Sequence, residues 1–415
     1  GGAPVAPTPD QPSSLAAASD AALQDDLLAR VFRFFWETAN PANGLVPDRW
    51  PTRPRMASIA SVGYALTALP VGVEAGLVSR AAAAERAVVT ARFFASAPQG
   101  PQASGMAGHN GFFYHFLDMQ TGARYDAGVE LSSQDTALLV AGLLCAQSFF
   151  DGPAPHEVEL RRLVDDIYAR VQWSWMQRRP GQMGMGWSPT KGFDTFIDYH
   201  GYDEAMLLVL LALASPTFPV TADTWAGYCS TYPRTWGTFH GQTHLGGAPL
   251  FWHQFSHVWV DFRGLQDDAM RAYGLDYFEN SRRAALAQRA YAQANPLGRD
   301  ARVREAFELS LDRQGLAQVV MDNEATVGNQ WVAPSNPYYA KNVPVPKRDV
   351  ARARALLKEA GVPNPSFTLL TPTTSDAQRL ALVIQAMTRD AGFDVKIQAA
   401  EFATTLNLAD KGDYE

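Results

Sequence analysis

Apolar residues recur at helical spacing through most of the first 294 positions, and long loops rich in Gly, Trp and His separate the periodic stretches. This pattern predicts a mainly α-helical region in which the loops gather at one end of a rigid scaffold. The predicted helices cover residues 20–38, 57–75, 79–96, 132–150, 156–177, 203–214 and 268–294.

The hydrophobic period changes beyond the segment Asn295-Pro296-Leu297-Gly298, which is also a helix-stop signal. Residues 302–320, 349–360 and 376–391 have helical periodicity, whereas residues 366–370 and 394–399 are predicted as strands. The last strand, helix and strand in this order predict a small α/β segment.

Composition changes at the same point. All eight histidines and nine of the ten tryptophans precede it, whereas five of the six lysines follow it. We therefore predict three parts of different character: a flexible leader over residues 1–19, a helical domain over 20–296 and an α/β segment over 297–415.

Bulk composition excludes several classes of protein. With 47% hydrophobic and 19% charged residues among 415, the chain has enough apolar material for a sizeable core. A net charge of −7 offers no basic surface for nucleic acid or an anionic membrane, so a neutral substrate is expected. The longest apolar run, 205–214, is about half of the ~20 residues that span a bilayer, so no membrane span is predicted.

The first residues are rich in Pro and Ser and are typical of the leader of a processed exported protein, with a cloning scar as the alternative. The predicted location is periplasmic or secreted, with a lipid anchor before processing as a further option. Cys145 and Cys229 are expected to be two buried thiols.

Six ordered segments carry a resemblance. They are FFWE with NGLVPDR (34–37, 43–49), GFFYHFLD (111–118), ELSSQDTALL (130–139), GYDEA (201–205), PLFWHQFSH (249–257) and DYFENSRR (276–283). Residues 34–296 thereby resemble the glucoamylase-like domain of glycoside hydrolase family 144. The resemblance implies an (α/α)₆ toroid that hydrolyses β-1,2-glucan. Such a domain normally continues with another loop and more helices, so the toroid is expected to be incomplete.

Residues 299–415 resemble a fragment of a family 5 extracellular solute-binding protein of the peptide-binding type. The resemblance lies in DARVREAF (300–307), LDRQ (311–314), DVARARALLKEAG (349–361) and AGFDV (391–395). It implies, as an alternative function, the exported solute-binding component of an ABC importer. The join of two incomplete domains indicates a chimera, a mis-joined gene or a composite sequence.

Glycoside hydrolysis needs one carboxyl group that protonates the leaving oxygen and a second that activates water or attacks the sugar. Glu204 is the candidate acid, because it lies at the mouth of a strongly apolar helix where partial burial raises a carboxyl pKa. A helix-start acid stabilised by the helix dipole is the plain alternative. Glu130 and Asp135 are candidates for the base or the water holder, with a solvated loop acid and a capping residue as their alternatives. The resemblance implies inversion of configuration.

Sugar binding uses aromatic faces and side chains that reach several hydroxyls, so four loops mixing such residues are candidates, although core packing is the commoner fate of any one aromatic. The candidate substrate-binding residues are His109, Asn110, Phe112, Tyr114, Arg124, Trp187, Tyr199, His200, Tyr202, His253, His257, Trp259 and Asp261.

No metal or cofactor is predicted. His253 and His257 have the i, i+4 spacing of a zinc site with Asp261 as a third ligand, but Gln254 replaces the Glu of the H-E-x-x-H pattern. Nucleotide-binding and redox motifs are absent from the sequence. The predicted partner is an oligo- or polysaccharide, and nothing indicates a partner protein. A catalytically inactive glucan-binding protein is a further alternative.

Overall fold

The computed structural model describes residues 19–49, 55–199, 201–247, 249–294, 300–322, 326–329, 334, 339 and 343–400. The described residues fall into two compact units, a larger one up to Gln293 and a smaller one from Ala294 onward. The predicted leader, residues 1–19, and the helix-stop segment at 295–298 lie outside the described residues except for Ser19.

The larger unit is mainly α-helical, as predicted. Its helices are α1 (Asp20–Thr38), α2 (Ile59–Glu74), α3 (Arg80–Ser96), α4 (Ser133–Phe149), α5 (Pro155–Arg170), α6 (Trp173–Met176), α7 (Met206–Leu213), α8 (Asp223–Cys229), α9 (Tyr232–Thr235), α10 (Asp268–Tyr273) and α11 (Tyr277–Ala294). Two 3₁₀ turns, Leu250–His253 and Phe255–Val258, precede α10.

Serine caps fix where the first four helices begin. Ser19, Ser58, Ser79 and Ser132 each accept a hydrogen bond from the backbone N–H three residues further on, which satisfies one of the free donors at a helix start. The predicted bounds of these helices agree with the structure to within two residues because cap and period point to the same position.

Two long predicted helices are interrupted. The stretch 156–177 divides at Val171 and Gln172, where the Gln172 N–H bonds to the carbonyl of Asn110 at 3.0 Å instead of continuing α5. The stretch 268–294 divides at Gly274, whose φ of 68° places it in the left-handed region and ends α10. Glycine tolerates this conformation without steric cost.

The core is organised by a close crossing of α2 and α4. A Cβ on Gly142 would lie 2.1 Å from the carbonyl oxygen of Gly63, and a Cβ on Gly63 would lie 2.2 Å from the carbonyl oxygen of Leu138. Only glycine permits such backbone proximity. Most of α4 is buried on all sides, which fixes its first turn relative to α2.

Short strands lie between the helices of the larger unit. They are β1 (Met56–Ser58), β2 (Gly108–His109), β3 (Phe112–Tyr114), β4 (Phe116–Asp118), β5 (Leu131–Ser132), β6 (Met183–Gly184), β7 (Gly186–Trp187), β8 (Asp198–Tyr199), β9 (Trp236–Phe239) and β10 (Gln242–Leu245). The order β2-β3-β5-β7 forms a four-stranded antiparallel sheet, while β1 pairs with β4, β6 with β8 and β9 with β10. Strand β5 leads directly into α4.

The smaller unit contains the predicted strand–helix–strand arrangement. Its elements are α12 (Ala301–Ser310), α13 (Arg313–Val320), α14 (Val350–Glu359), β11 (Ser366–Pro372), α15 (Ser375–Arg389) and β12 (Asp394–Ala400). Strands β11 and β12 are parallel, and Phe307, Phe367 and Phe393 pack together with ring centroids 5.3–6.3 Å apart. The predicted helix 302–320 is interrupted at Asp312, which caps α13.

None of the described helices is long and apolar enough to cross a membrane. Cys145 and Cys229 are free thiols, and both are partly rather than fully buried. The Cys229 thiol lies 3.6 Å from a carboxylate oxygen of Asp267, so this thiol has a polar neighbour and is not enclosed by apolar side chains alone.

Candidate active site

The starts of α4 and α7 bring two of the predicted catalytic carboxyl groups into one region. Asp135 lies in the first turn of α4, and Glu204 lies in the turn immediately before α7. The side-chain amide of Gln134 donates a 2.8 Å hydrogen bond to the main-chain carbonyl of Glu204. This bond ties the two helix starts together across 70 residues of sequence.

Glu204 has an environment that raises the pKa of its carboxyl group. Burial raises its pKa, and the negative charge of Asp135 raises it further. The hydroxyl of Tyr199 donates to Glu204 Oε1 at 3.2 Å, which partly opposes this shift. The net effect is a raised pKa, the direction that a general acid requires.

Asp135 is half-buried and makes two hydrogen bonds with Ser132. The Ser132 hydroxyl donates to Asp135 Oδ2 at 2.5 Å, and the backbone N–H of Asp135 donates to Ser132 Oγ at 3.1 Å. Burial raises the pKa of Asp135, whereas the charge of His115 and the Ser132 hydrogen bond act in the opposite direction.

His115 lies between the carboxyl groups of Glu130 and Asp135. Its Nδ1 is 2.7 Å from Glu130 Oε1, and its Nε2 is 3.5 Å from Asp135 Oδ1. Burial alone would lower the pKa of His115, but the hydrogen bond to Glu130 and the charges of Asp135, Glu130 and Asp48 outweigh it, so the pKa is raised. His115 lies within the motif GFFYHFLD, but nothing in the sequence alone indicated a role for it.

One donor atom each of His115, Glu130 and Asp135 lies within 4.8 Å of the others, a spacing that a cation could share. An imidazole offers a metal ion one nitrogen, and here each ring nitrogen is directed at a carboxylate. We therefore interpret the three residues as a hydrogen-bonded charge network and not as metal ligands.

We call His115, Glu130, Asp135 and Glu204 the polar centre. Two tyrosines and a second aspartate complete it. Burial and the charges of Glu204 and Asp135 raise the pKa values of Tyr64 and Tyr199, so both hydroxyls stay protonated. The Tyr64 hydroxyl is buried and has no hydrogen-bond partner among the described residues. Burial raises the pKa of Asp203 to about 7, with the charge of Glu204 acting in the same direction.

An aromatic cluster adjoins β5 through the pairing of Trp187 with Leu131. His109 lies 4.8 Å from Trp187 and 5.4 Å from Trp175, and Trp175 lies 4.9 Å from Phe193, measured between ring centroids. All four rings are half-buried, so each retains an accessible face or edge. His109 and Trp187 were predicted from the sequence as sugar contacts, whereas Trp175 was not.

Four other predicted sugar contacts serve the scaffold in this structure. Phe112 and Tyr114 are fully buried, and a fully buried ring offers no face to a sugar. Arg124 donates to the carbonyls of Val129 and Ala127. Asn110 has a φ of 51° at the turn between β2 and β3, where its carbonyl accepts from Gln172.

The remaining predicted contacts are distributed over two cavities, neither of which is lined by Asp135 or Glu204. Tyr202 and His253 line one of about 590 Å³, and His257, Trp259 and Asp261 line another of about 470 Å³. His253 is buried and bonds to the carbonyl of Gly247 at 3.3 Å. The i, i+4 histidines therefore do not converge on one cavity. His200 lies outside the described residues.

These last residues also have partners that explain their presence without a ligand. His257 Nε2 lies 2.9 Å from the Ser281 hydroxyl, and the Trp259 indole N–H donates to Thr67 at 2.8 Å. Asp261 is exposed and pairs with Arg263 at 2.7 Å. Trp259 still reaches the polar centre indirectly, because its ring lies 5.2 Å from that of Tyr64.

Comparison with known families divides the chain in two. Residues 197–307 match the family model "Putative glucoamylase", and residues 266–415 match the model for bacterial extracellular solute-binding proteins, family 5. Both resemblances are confirmed. The two matched ranges overlap between residues 266 and 307.

Three relatives show the extent of the similarity. An exo β-1,2-glucooligosaccharide sophorohydrolase of Parabacteroides distasonis is 25% identical over 68% of this chain and 41% of its own. The endo-β-1,2-glucanase of Chitinophaga pinensis, solved with sophorotriose and glucose, is 25% identical with a TM-score of 0.58 over 68% of each chain. The oligopeptide-binding protein AppA of Bacillus subtilis is 28% identical over 30% of this chain and 26% of its own.

The chain thus spans less than half of either curated relative. The solved glucanase has the helical architecture found here for the larger unit, and the range 197–307 that matches the glucoamylase model includes Glu204.

Proposed function

We propose that the larger unit is a glycoside hydrolase that acts on β-1,2-glucan or a related β-glucan. The observation that carries the proposal is the charge coupling of Asp135 and Glu204 on two helix starts that are hydrogen-bonded to each other. Two carboxyl groups, one acting as acid and one as base or nucleophile, are the least that glycoside hydrolysis requires.

In the proposed mechanism Glu204 is the general acid and Asp135 the general base. Glu204 donates its proton to the glycosidic oxygen as the bond from that oxygen to the anomeric carbon breaks. A water molecule attacks the same carbon from the opposite face and transfers its proton to Asp135, so the configuration is inverted. Proton exchange with solvent then restores both carboxyl groups.

Asp135 is preferred to Glu130 as the base because the charge of Asp135 contributes to the raised pKa of Glu204. Glu130 is occupied by the 2.7 Å contact with His115. The half-buried rings of Trp175 and Trp187 supply apolar faces for a sugar next to this centre, since Trp187 is paired with the strand that precedes α4.

The preference for β-1,2 linkages is proposed from the names of the two glucan-hydrolysing relatives. Purified protein should release reducing ends from linear β-1,2-glucan faster than from β-1,3- or β-1,4-glucan, and chromatography of the products shows whether cleavage is internal or terminal. Equal or faster release from the other two polymers rejects the linkage. Binding of β-1,2-glucan without release favours the inactive glucan-binding alternative.

A solute-binding role for the smaller unit is the second candidate. It is favoured by the parallel β11–α15–β12 arrangement together with the match of residues 266–415. Titration calorimetry with di- to pentapeptides tests it on the whole chain. Absence of heat at millimolar peptide rejects the role.

Export to the periplasm or the medium is also proposed, supported by the similarity of the second region to extracellular binding proteins. Fractionation of cells that express the native gene tests this proposal. Recovery of the protein only with the cytoplasmic fraction contradicts it.

A further inference from the structure

Two hydrogen bonds hold the backbone of His115, and a ring contact supports its imidazole. Its backbone N–H donates to the carbonyl of Glu130 at 3.0 Å, and its own carbonyl accepts from the N–H of Ile59 at 3.2 Å. Its ring stacks on Phe116 at 3.9 Å between centroids with an interplanar angle of 15°. The backbone bonds place His115 beside the two carboxylates, and the orientation of its ring is set by the contacts to Phe116, Glu130 and Asp135.

We propose that His115 is a positioning residue that holds the charge and the orientation of Asp135, the base of the hydrolysis proposed above. The inference rests on that proposed function. Glu130 is then the anchor of the imidazole, since the 2.7 Å contact at Nδ1 leaves Nε2 directed at Asp135 Oδ1.

The charges around His115 define the sign of the effect. Three acidic groups face it, from the loop before β1 and from both ends of the β5–α4 junction: Asp48, Glu130 and Asp135. Beyond Asp135 lie Glu204 and the hydroxyls of Tyr64 and Tyr199, whose titration depends on Asp135. A protonated His115 favours the ionised form of Asp135, and ionised Asp135 favours the protonated form of Glu204.

Loss of the imidazolium should therefore move the whole pH–rate profile upward. The acidic limb reports ionisation of Asp135, and the alkaline limb reports ionisation of Glu204. The charge of His115 lowers the pKa of both carboxyl groups, so removal of that charge raises both pKa values. An opposite charge within about 4–6 Å shifts a carboxyl pKa by ~1–3. We expect the acidic limb to move up by at least ~1 pH unit, with a loss of kcat/KM of about 5-fold at the wild-type acidic midpoint.

Two substitutions separate charge from orientation. His115→Asn keeps a donor near the position of Nδ1 and so preserves the contact to Glu130, whereas His115→Gln keeps a donor near Nε2 and preserves the contact to Asp135. Both remove the charge and should shift the profile, but Gln should retain more of kcat than Asn. His156→Asn removes a histidine from α5, outside this network, and is the matched control.

The ring itself provides a readout that does not need activity. In ¹⁵N-labelled protein, the His115 imidazole should titrate above free histidine, and Glu130→Gln and Asp135→Asn should each lower its midpoint. If no glucan is hydrolysed, the proposed function fails and this titration alone decides the network. An imidazole midpoint of His115 equal to that of free histidine overturns the inference. So does an active His115→Asn protein whose maximal rate is lower but whose pH–rate profile has both limbs at the wild-type pH.

Discussion

Replacing Gly142 with alanine tests whether the crossing of α2 and α4 sets the geometry of the polar centre. The new Cβ would lie 2.1 Å from the carbonyl oxygen of Gly63 and 2.6 Å from its Cα. Both are main-chain atoms, so the helices have to separate by about 1 Å to reach ordinary contact distance.

The cost follows from two opposing effects. Overpacking of a core costs about 1–3 kcal/mol, and the upper end applies where backbone must move. Alanine in place of glycine within a helix offsets about 1 kcal/mol. The net expectation is a destabilisation of ~2 kcal/mol, together with a loss of activity approaching ~10²-fold because α4 carries Asp135 and α2 carries Tyr64.

Urea unfolding followed by tryptophan fluorescence measures the larger unit, since nine of the ten tryptophans precede residue 296. Gly128→Ala is the matched control, because the nearest atom to its Cβ is the end of the Asp126 side chain at 3.2 Å. A Gly142→Ala protein within ~0.5 kcal/mol of wild type and with unchanged activity would refute the argument, because that is the ordinary range of harmless substitutions.

Two further predictions concern binding and pH. Trp175→Ala should raise KM for glucan by ~2–10-fold with little change in kcat, because it removes one face of the aromatic cluster. Steady-state kinetics measures both constants, and a fall in kcat alone contradicts this role. Glu157→Gln should lower the unfolding free energy by ~1–3 kcal/mol at pH 7, because the Arg80 guanidinium at 3.0 Å lowers the Glu157 pKa. That stabilisation is present above the ordinary carboxyl pKa of about 4.3 and disappears as the pH falls through the lowered one, so urea midpoints of the two proteins should converge in acid.

Helix positions could be predicted where period and capping agree, as for α1 with its Ser19 cap. The interruption at Gly274 could not be predicted from period alone, because apolar residues continue on both sides of it. The short strands of the larger unit were missed for a different reason. A strand of two to four residues is too short to show alternation, and its pairing is set by distant partners such as Leu131 and Trp187.

The candidate site shows the same limit. Glu204 could be identified because its motif precedes a strongly apolar helix, and Asp135 because it follows a serine cap. His115 and Tyr64 could not be, since their importance comes from contacts with residues 15 or more positions away. Aromatic loop residues such as Phe112 and Tyr114 have no local signal that separates a sugar platform from a buried ring.

The most direct test of the central claim is the rate of reducing-end release from β-1,2-glucan by Glu204→Gln and Asp135→Asn proteins. Each substitution keeps the shape of the side chain and removes its proton transfer, which contributes ~10²–10⁴-fold. We predict losses of that size in kcat, with glucan binding and urea midpoints near those of wild type. Asp151→Asn, at an exposed carboxyl group outside the network, should retain full activity. Undiminished hydrolysis by the Glu204→Gln protein would contradict the account.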